Sequence, residues 1–328
     1  MANRAPAIVQ RWRGGAGRWG TCLFFAVAAL PVALTAQGST SAVLLELPAS
    51  ARAQALGNAY VAAARDEAVI FYNPAQLATL SGSSAGAGVQ RYLQSSTLAT
   101  LSAAVRAGPG TVGLGVEALD FGSEAEVVPD PASNGESGVP TGARVSAGDY
   151  LATLGYAISA GRMRIGAAGK VIGERLAGES GHALTADVGA ALSLPHDMEV
   201  AAAAQQLGGS LRLLGSSSPL PRLFRLGASA PIAARGPLTF LAVAMINWTR
   251  GGGGGADESG GIEAAYAAGG ERSYFLRAGV TSRSSGGSLL SPLSVGGGLG
   301  KAHLQLDYAY QGSDGAGGVH RLGLRWRE

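Results

Sequence analysis

Several short stretches of this 328-residue chain have the residue types of catalytic or phosphate-binding motifs. Gly82-Ser83-Ser84-Ala85-Gly86 matches Gly-x-Ser-x-Gly, in which a strained strand-to-helix turn presents a serine nucleophile. Here the match opens a strand-like segment, and His182, His196, His303 and His320 come with no partner motif. Residues 296–301 read Gly-Gly-Gly-Leu-Gly-Lys. A P-loop would need glycine at Val295 and a hydroxyl for magnesium at Ala302. Gly113-x-Gly115-x-x-Ala118 resembles a dinucleotide fingerprint, but a long polar stretch follows where a helix is required. Asp257 and Glu258 follow five glycines without the ligand spacing of a calcium loop. These stretches predict no enzyme, cofactor or metal centre. They read as glycine-rich strands and turns.

A second set of charged residues has a different logic. Arg162, Arg164, Lys170, Arg225, Arg277, Arg321 and Arg325 recur at one parity of alternating segments, with Glu174, Glu263 and Asp307 among them. Alternate residues of a strand point to one face. Such charges facing the inside of a barrel would line a wet pore for ion selectivity, or would pair with one another in a closed lumen. The Gly and Ala at the same parity favour a narrow or closed lumen.

The elements that must carry these residues repeat one unit: about ten residues alternating in polarity, then a Gly/Ser/Pro/Asn cluster. Tyr150, Ala152, Leu154, Tyr156 and Ile158 share one parity; Leu304, Leu306, Tyr308 and Tyr310 oppose His303, Gln305 and Asp307. The pattern predicts strands at 84–93, 97–107, 111–121, 148–158, 162–176, 182–194, 198–207, 222–233, 236–248, 259–268, 272–283, 290–300, 302–312 and 317–326. Brief connections alternate with longer ones, and 122–147 and 208–221 are the longest. That asymmetry is expected of short periplasmic turns and longer outer loops. The fold predicted is all-β, a transmembrane antiparallel barrel of about 14 strands over 84–328. A soluble exported sandwich is the alternative. Trp248, Tyr150, Tyr266, Tyr308, Tyr310 and Trp326 could form thin aromatic girdles. Loop 122–147 is acidic on balance and could fold into the mouth, contact a partner or be merely mobile.

Residues 1–20 hold four arginines and no acid, and an apolar run from Cys22 to Leu34 leads to Ala36. This predicts a secretory signal peptide over 1–36, cleaved near Ala36, with an uncleaved anchor as the alternative. The whole chain carries a net +3; removing four of its 25 bases leaves 21 against 22 acids, or −1. The apparent basicity belongs to the export signal, so nucleic acid is excluded as a partner. A charged fraction of 14% and 47% hydrophobic residues exclude a disordered tail.

Residues 37–83 differ in character and predict a short N-terminal hatch or plug. Ser50 caps a helix from Ala51 to Leu56, Gly57 and Asn58 end it, a second helical stretch covers 59–65, and Asn73-Pro74-Ala75 makes a turn. A disordered leader is the alternative. The cluster Leu47, Pro48, Ser50, Ala51, Arg52, Ala55, Leu56, Gly57, Asp66, Asn73, Pro74 and Ala75 resembles the opening of PorV/PorQ family proteins, within the wider FadL-like group of 14-stranded outer-membrane barrels. The resemblance covers about 35 residues. It implies a non-enzymatic scaffold or shuttle with secretion-system proteins or exported cargo as partners. Through the wider group it implies instead a passive transporter with a hydrophobic ligand. Arg52 and Asp66 would lie in the hatch, as an ion pair or as two solvated charges.

Overall fold

The computed structural model describes residues 43–63, 65–91, 96–134, 136–213, 215–251, 255–282, 290–313 and 318–328. The signal-peptide stretch lies outside them. Sixteen strands follow a short helical segment: β1 Ser84–Arg91, β2 Thr97–Ala107, β3 Gly110–Pro129, β4 Gly138–Ala160, β5 Met163–Leu176, β6 Glu179–Ser193, β7 Glu199–Leu207, β8 Ser210–Leu213, β9 Ser216–Pro219, β10 Arg222–Arg235, β11 Leu238–Arg250, β12 Gly255–Ala268, β13 Arg272–Thr281, β14 Leu290–Lys301, β15 Leu304–Ser313 and β16 Val319–Arg327. Fourteen of them close into one antiparallel barrel, and β1 pairs with both β2 and β16. β8 and β9 form a separate hairpin.

Closure satisfies every edge, which is what allows strands to cross a membrane. The outer wall carries the apolar parity. Leu101, Leu154, Leu184 and Leu276 are 59%, 60%, 70% and 72% exposed. A water-soluble sandwich does not display such a continuous apolar surface, so the lipid-facing reading holds. The connections β2–β3, β4–β5, β10–β11 and β14–β15 are turns at one end of the barrel, where Ser84 also pairs with Arg327. In outer-membrane barrels the end of short turns faces the periplasm.

Two long connections differ from expectation. β3 and β4 run for 20 and 23 residues, so most of 122–147 continues their ladder as a projecting hairpin. Glu126 accepts a 2.6 Å hydrogen bond from Thr141 within it. Register shifts after Asp120 and Ala125 and the prolines at 129 and 140 break the alternation that marks a strand in sequence. The 208–221 stretch contains the β8–β9 hairpin.

Residues 43–80 pack inside the barrel. The helix α1, Ala51–Ala55, contacts β13–β16, and the 3-10 turn Pro74–Thr79 contacts β3–β6. The Ser50 hydroxyl accepts from the Ala53 N–H at 3.1 Å and caps α1. Gly57 follows at φ +66°, and a Cβ there would lie 2.5 Å from the Val280 carbonyl oxygen of β13. The position needs both the left-handed conformation and the absent side chain. The helical stretch expected over 59–65 does not form in its described residues, 59–63 and 65. Residues 59–63 run without helix across the lumen, because Tyr60 and Val61 bury their side chains fully. The chain turns instead through a second 3-10 segment, Glu67–Phe71.

Candidate functional site

The plug meets the barrel through two kinds of surface. Toward β12–β16 the surface is ionic. The Arg52 Nε and Nη2 of α1 donate to the two carboxylate oxygens of Glu263 on β12, at 2.8 and 2.9 Å. Glu263 accepts from Arg277 on β13 at 2.6 Å, and Arg277 reaches Asp307 on β15 at 2.7 Å. Asp307 meets Arg325 on β16 at 2.9 Å, Arg325 meets Asp66 of the plug at 2.9 Å, and Asp66 returns to Arg52 at 3.2 Å. Three arginines and three carboxylates therefore alternate around a closed ring. The ring is neutral, and each member has two opposite neighbours. Alternation lets six charges lie buried together, since an unpaired buried ion costs several kcal/mol. The Tyr60 hydroxyl also donates to Asp66, and Arg52 donates to the Ala63 carbonyl at 3.0 Å.

Toward β3–β6 and β10 the surface is shaped by inward glycines. A Cβ at Gly113 would lie 2.6 Å from Leu77, at Gly115 2.5 Å from Phe71, at Gly155 2.6 Å from Ile70, at Gly166 2.6 Å from Ala75 N, and at Gly227 2.5 Å from Val61. Gly261 and Gly296 leave the same room for Leu56 and Ala55 near α1. Gly86, Gly113, Gly115 and Gly296, which imitate catalytic and nucleotide motifs in sequence, are floor positions under the plug. Asp257 and Glu258 occupy successive positions of β12 and so point to opposite faces.

Most of the remaining inward charges also find partners. Lys170 pairs with Asp187 at 2.6 Å, and Gln205 bridges Asp187 (2.6 Å) to the Phe71 carbonyl of the plug (3.0 Å). Arg164 and Gln76 both bond Glu199. Arg321 donates to Gln90 at 2.8 Å and to the Pro48 carbonyl of the plug. The Arg225 guanidinium lies 5.1 Å from the Tyr72 ring centre. Glu174 is half-buried opposite Asp149. Arg162 departs from its expected lumenal place: it is exposed in the turn between β4 and β5, because β5 begins one residue later, at Met163. Among plug residues, Asn73 caps the turn at Ala75 N (3.0 Å) and donates to the β6 carbonyl of Ala190 (3.3 Å). Pro74 and Ala75 lie over Gly166, Leu56 over Gly261, and Ala51 beside Gly323. Sequence reasoning missed Glu117, Asp187, Glu199 and Gln205, although inward parity on their strands marks each of them. Burial pushes the Glu67 carboxyl of the plug up to about 7 and raises the Tyr60 and Tyr72 phenols.

Three cavities described around the plug are small. A cavity of about 40 Å³ lies between α1, β1 and β16, one of about 50 Å³ beside Arg52 and Glu263, and one of about 10 Å³ among Leu44, Tyr72, Glu117 and Arg225. A dry cavity that takes benzene is on the order of 150 Å³, so none of these three admits an aromatic ring.

No family model and no curated protein matches the sequence. Solved structures do match the fold. The toluene transporter TbuX of Ralstonia pickettii aligns over 85% of this chain and 98% of its own, with a TM-score of 0.57 and 13% identity. The CymD monoaromatic hydrocarbon channel aligns over 85% and 97%, with a TM-score of 0.59 and 12% identity. A Pseudomonas aeruginosa FadL homologue aligns over 85% and 98%, with a TM-score of 0.56 and 10% identity. The fold is FadL-like. At this identity the FadL-like likeness establishes architecture, and the chain's own lumen must carry the argument for function.

Proposed function

We propose that this protein is an outer-membrane channel for small hydrophobic molecules, held shut by its own N-terminal plug. The observation that carries the reading is the six-membered ion ring that joins Arg52 and Asp66 of the plug to Glu263, Arg277, Asp307 and Arg325 of the wall. It sits in a barrel whose structural neighbours are hydrocarbon transporters and channels. With the plug seated, none of the three described cavities around it admits an aromatic ring, so this reading has the plug shift for passage. No catalytic step and no cofactor enter this reading. Residues 1–36 act as the cleaved export signal and 37–83 as the hatch. Mass spectrometry of the mature chain tests that cleavage.

Uptake of radiolabelled toluene at low concentration tests the transport. Cells lacking the protein should take it up more slowly than cells carrying it, and equal rates would overturn the reading. The resemblance of residues 47–75 to PorV/PorQ openings supports a second reading, a scaffold for exported protein. Gentle detergent extraction that recovers stoichiometric secretion components with the barrel would move that reading to first place.

A further inference from the structure

Outside the barrel, β10 and β11 set two arginines side by side. Arg222 and Arg250 are register partners at the outer ends of these strands. Leu223 and Arg225 face inward and are buried, so Arg222, Phe224 and Leu226 face outward; by pairing, so do Arg250, Trp248 and Ile246. Read from the outer end toward the membrane centre, the strip is Arg222/Arg250, then Phe224/Trp248, then Leu226/Ile246. Directly opposed residues have Cβ atoms about 4.5–5.5 Å apart, and like charges in that relation are destabilising. Neither guanidinium has an ion pair among the described residues. The residues that follow Arg250, 251–255, are all glycine, and so bring no acid of their own. The paired arginines of the lumen thus contrast with an adjacent pair on the outer wall that has no ion pair among the described residues; the outward acid Glu258 lies by register opposite Ile246, four residues along β11 from Arg250.

The order of the strip fits one kind of occupant. Aromatic rings prefer the membrane–water interface, and apolar side chains lie deeper. The two arginines therefore stand at headgroup level of the outer leaflet, where a planar donor fork matches phosphate. We propose that Arg222 and Arg250 clamp the phosphate of an outer-leaflet lipid, with its acyl chains lying over Phe224 and Trp248. The shared anion converts the cross-strand repulsion into a bridge between β10 and β11. This rests on the barrel spanning the outer membrane with its short turns inward, and not on what the lumen transports.

Native mass spectrometry of the full-length protein with diphosphorylated lipid A tests the site. R222Q/R250Q should weaken lipid retention by about fivefold for each arginine, and dephosphorylated lipid A should bind the unmutated protein as weakly. R235Q, at the periplasmic end of β10, should leave retention unchanged. R222K/R250K keeps the charge without the planar fork and should bind more weakly than the parent but more tightly than R222Q/R250Q, which separates lost recognition from lost folding. In lipid-free detergent R250Q should melt no lower than the parent, since it removes a repulsion. Unchanged retention in R222Q/R250Q would overturn the proposal. So would equal binding of dephosphorylated lipid, full competition by millimolar inorganic phosphate, or a lower melting temperature of R250Q without lipid.

Discussion

The plug rests on two unlike seats within one barrel. Against β12–β16 it is held by charge: Arg52 and Asp66 complete a ring whose other four members belong to the wall. Against β3–β6 it is held mainly by shape: Ile70, Phe71 and Leu77 fill hollows that only glycine leaves open, with Asn73 adding a hydrogen bond to the Ala190 carbonyl. The two respond differently to disturbance. A shape contact loses dispersion and apolar burial gradually, at about 25 cal/mol per Å². An ion ring fails abruptly, because removing one member strands its buried neighbours. On the proposed reading, the ionic side is the one from which the plug would be released, and the glycine side is the hinge about which it would stay seated.

Breaking the ring is the severest test of that contrast. Glu263→Gln removes the carboxylate shared by Arg52 and Arg277 and should cost about 3–5 kcal/mol, seen as a lower Tm and as ion conductance in planar bilayers. Conductance no different from the parent would show that the glycine seat alone closes the lumen. The shape side should yield less. Gly166→Ala places a methyl 2.6 Å from Ala75 N and should destabilise by about 1–3 kcal/mol through overpacking. Its effect should be insensitive to salt in thermal melts.

A pH titration sharpens the same division. Glu67 of the plug has its folded pKa raised by burial to about 7, against an ordinary 4.5. A raised folded pKa means the favourable contribution is complete below the unfolded value and is lost as pH rises through the folded one. Plug release, read by protease access to residues 43–80, should therefore increase between pH 5 and pH 7.5 (values on the order of these pKa limits). Glu67→Gln should flatten that dependence. The smallest change should come from outside the lumen altogether. Arg144→Ala in the projecting hairpin, where Arg144 donates to Ser123 at 3.0 Å, should shift stability by no more than about 0.5 kcal/mol in chemical denaturation.

Much of the wall was legible in the sequence. Period-two alternation placed all fourteen barrel strands, because each has one face toward lipid and one toward a polar interior. Strand ends read poorly where that two-sided environment stops. The β3–β4 hairpin rises into water on both faces, so nothing forces its residues to alternate. The plug was legible only in part. Ser50 and Asn73 mark their turns through local side-chain caps, which act over three residues. The alanines of 59–65 favour the helix expected there, while the path of 59–63 is set by Tyr60 reaching Asp66 and by Val61 meeting Gly227.

Local chemistry alone predicts an export signal, and it determined that the chain would alternate along many strands and carry charge on one side of them, since those properties depend on neighbours in sequence. Tertiary structure decided what the charges do. Arg52 and Glu263 stand 211 residues apart, and no spacing rule joins a helix at one end of the chain to a strand near the other. Only closure of the barrel around the plug brings three arginines and three acids into one ring. The same closure explains the glycines, 52 in 328 residues. In the sequence they resemble nucleotide loops and a narrow lumen; in the folded molecule many are the missing side chains whose space the plug occupies.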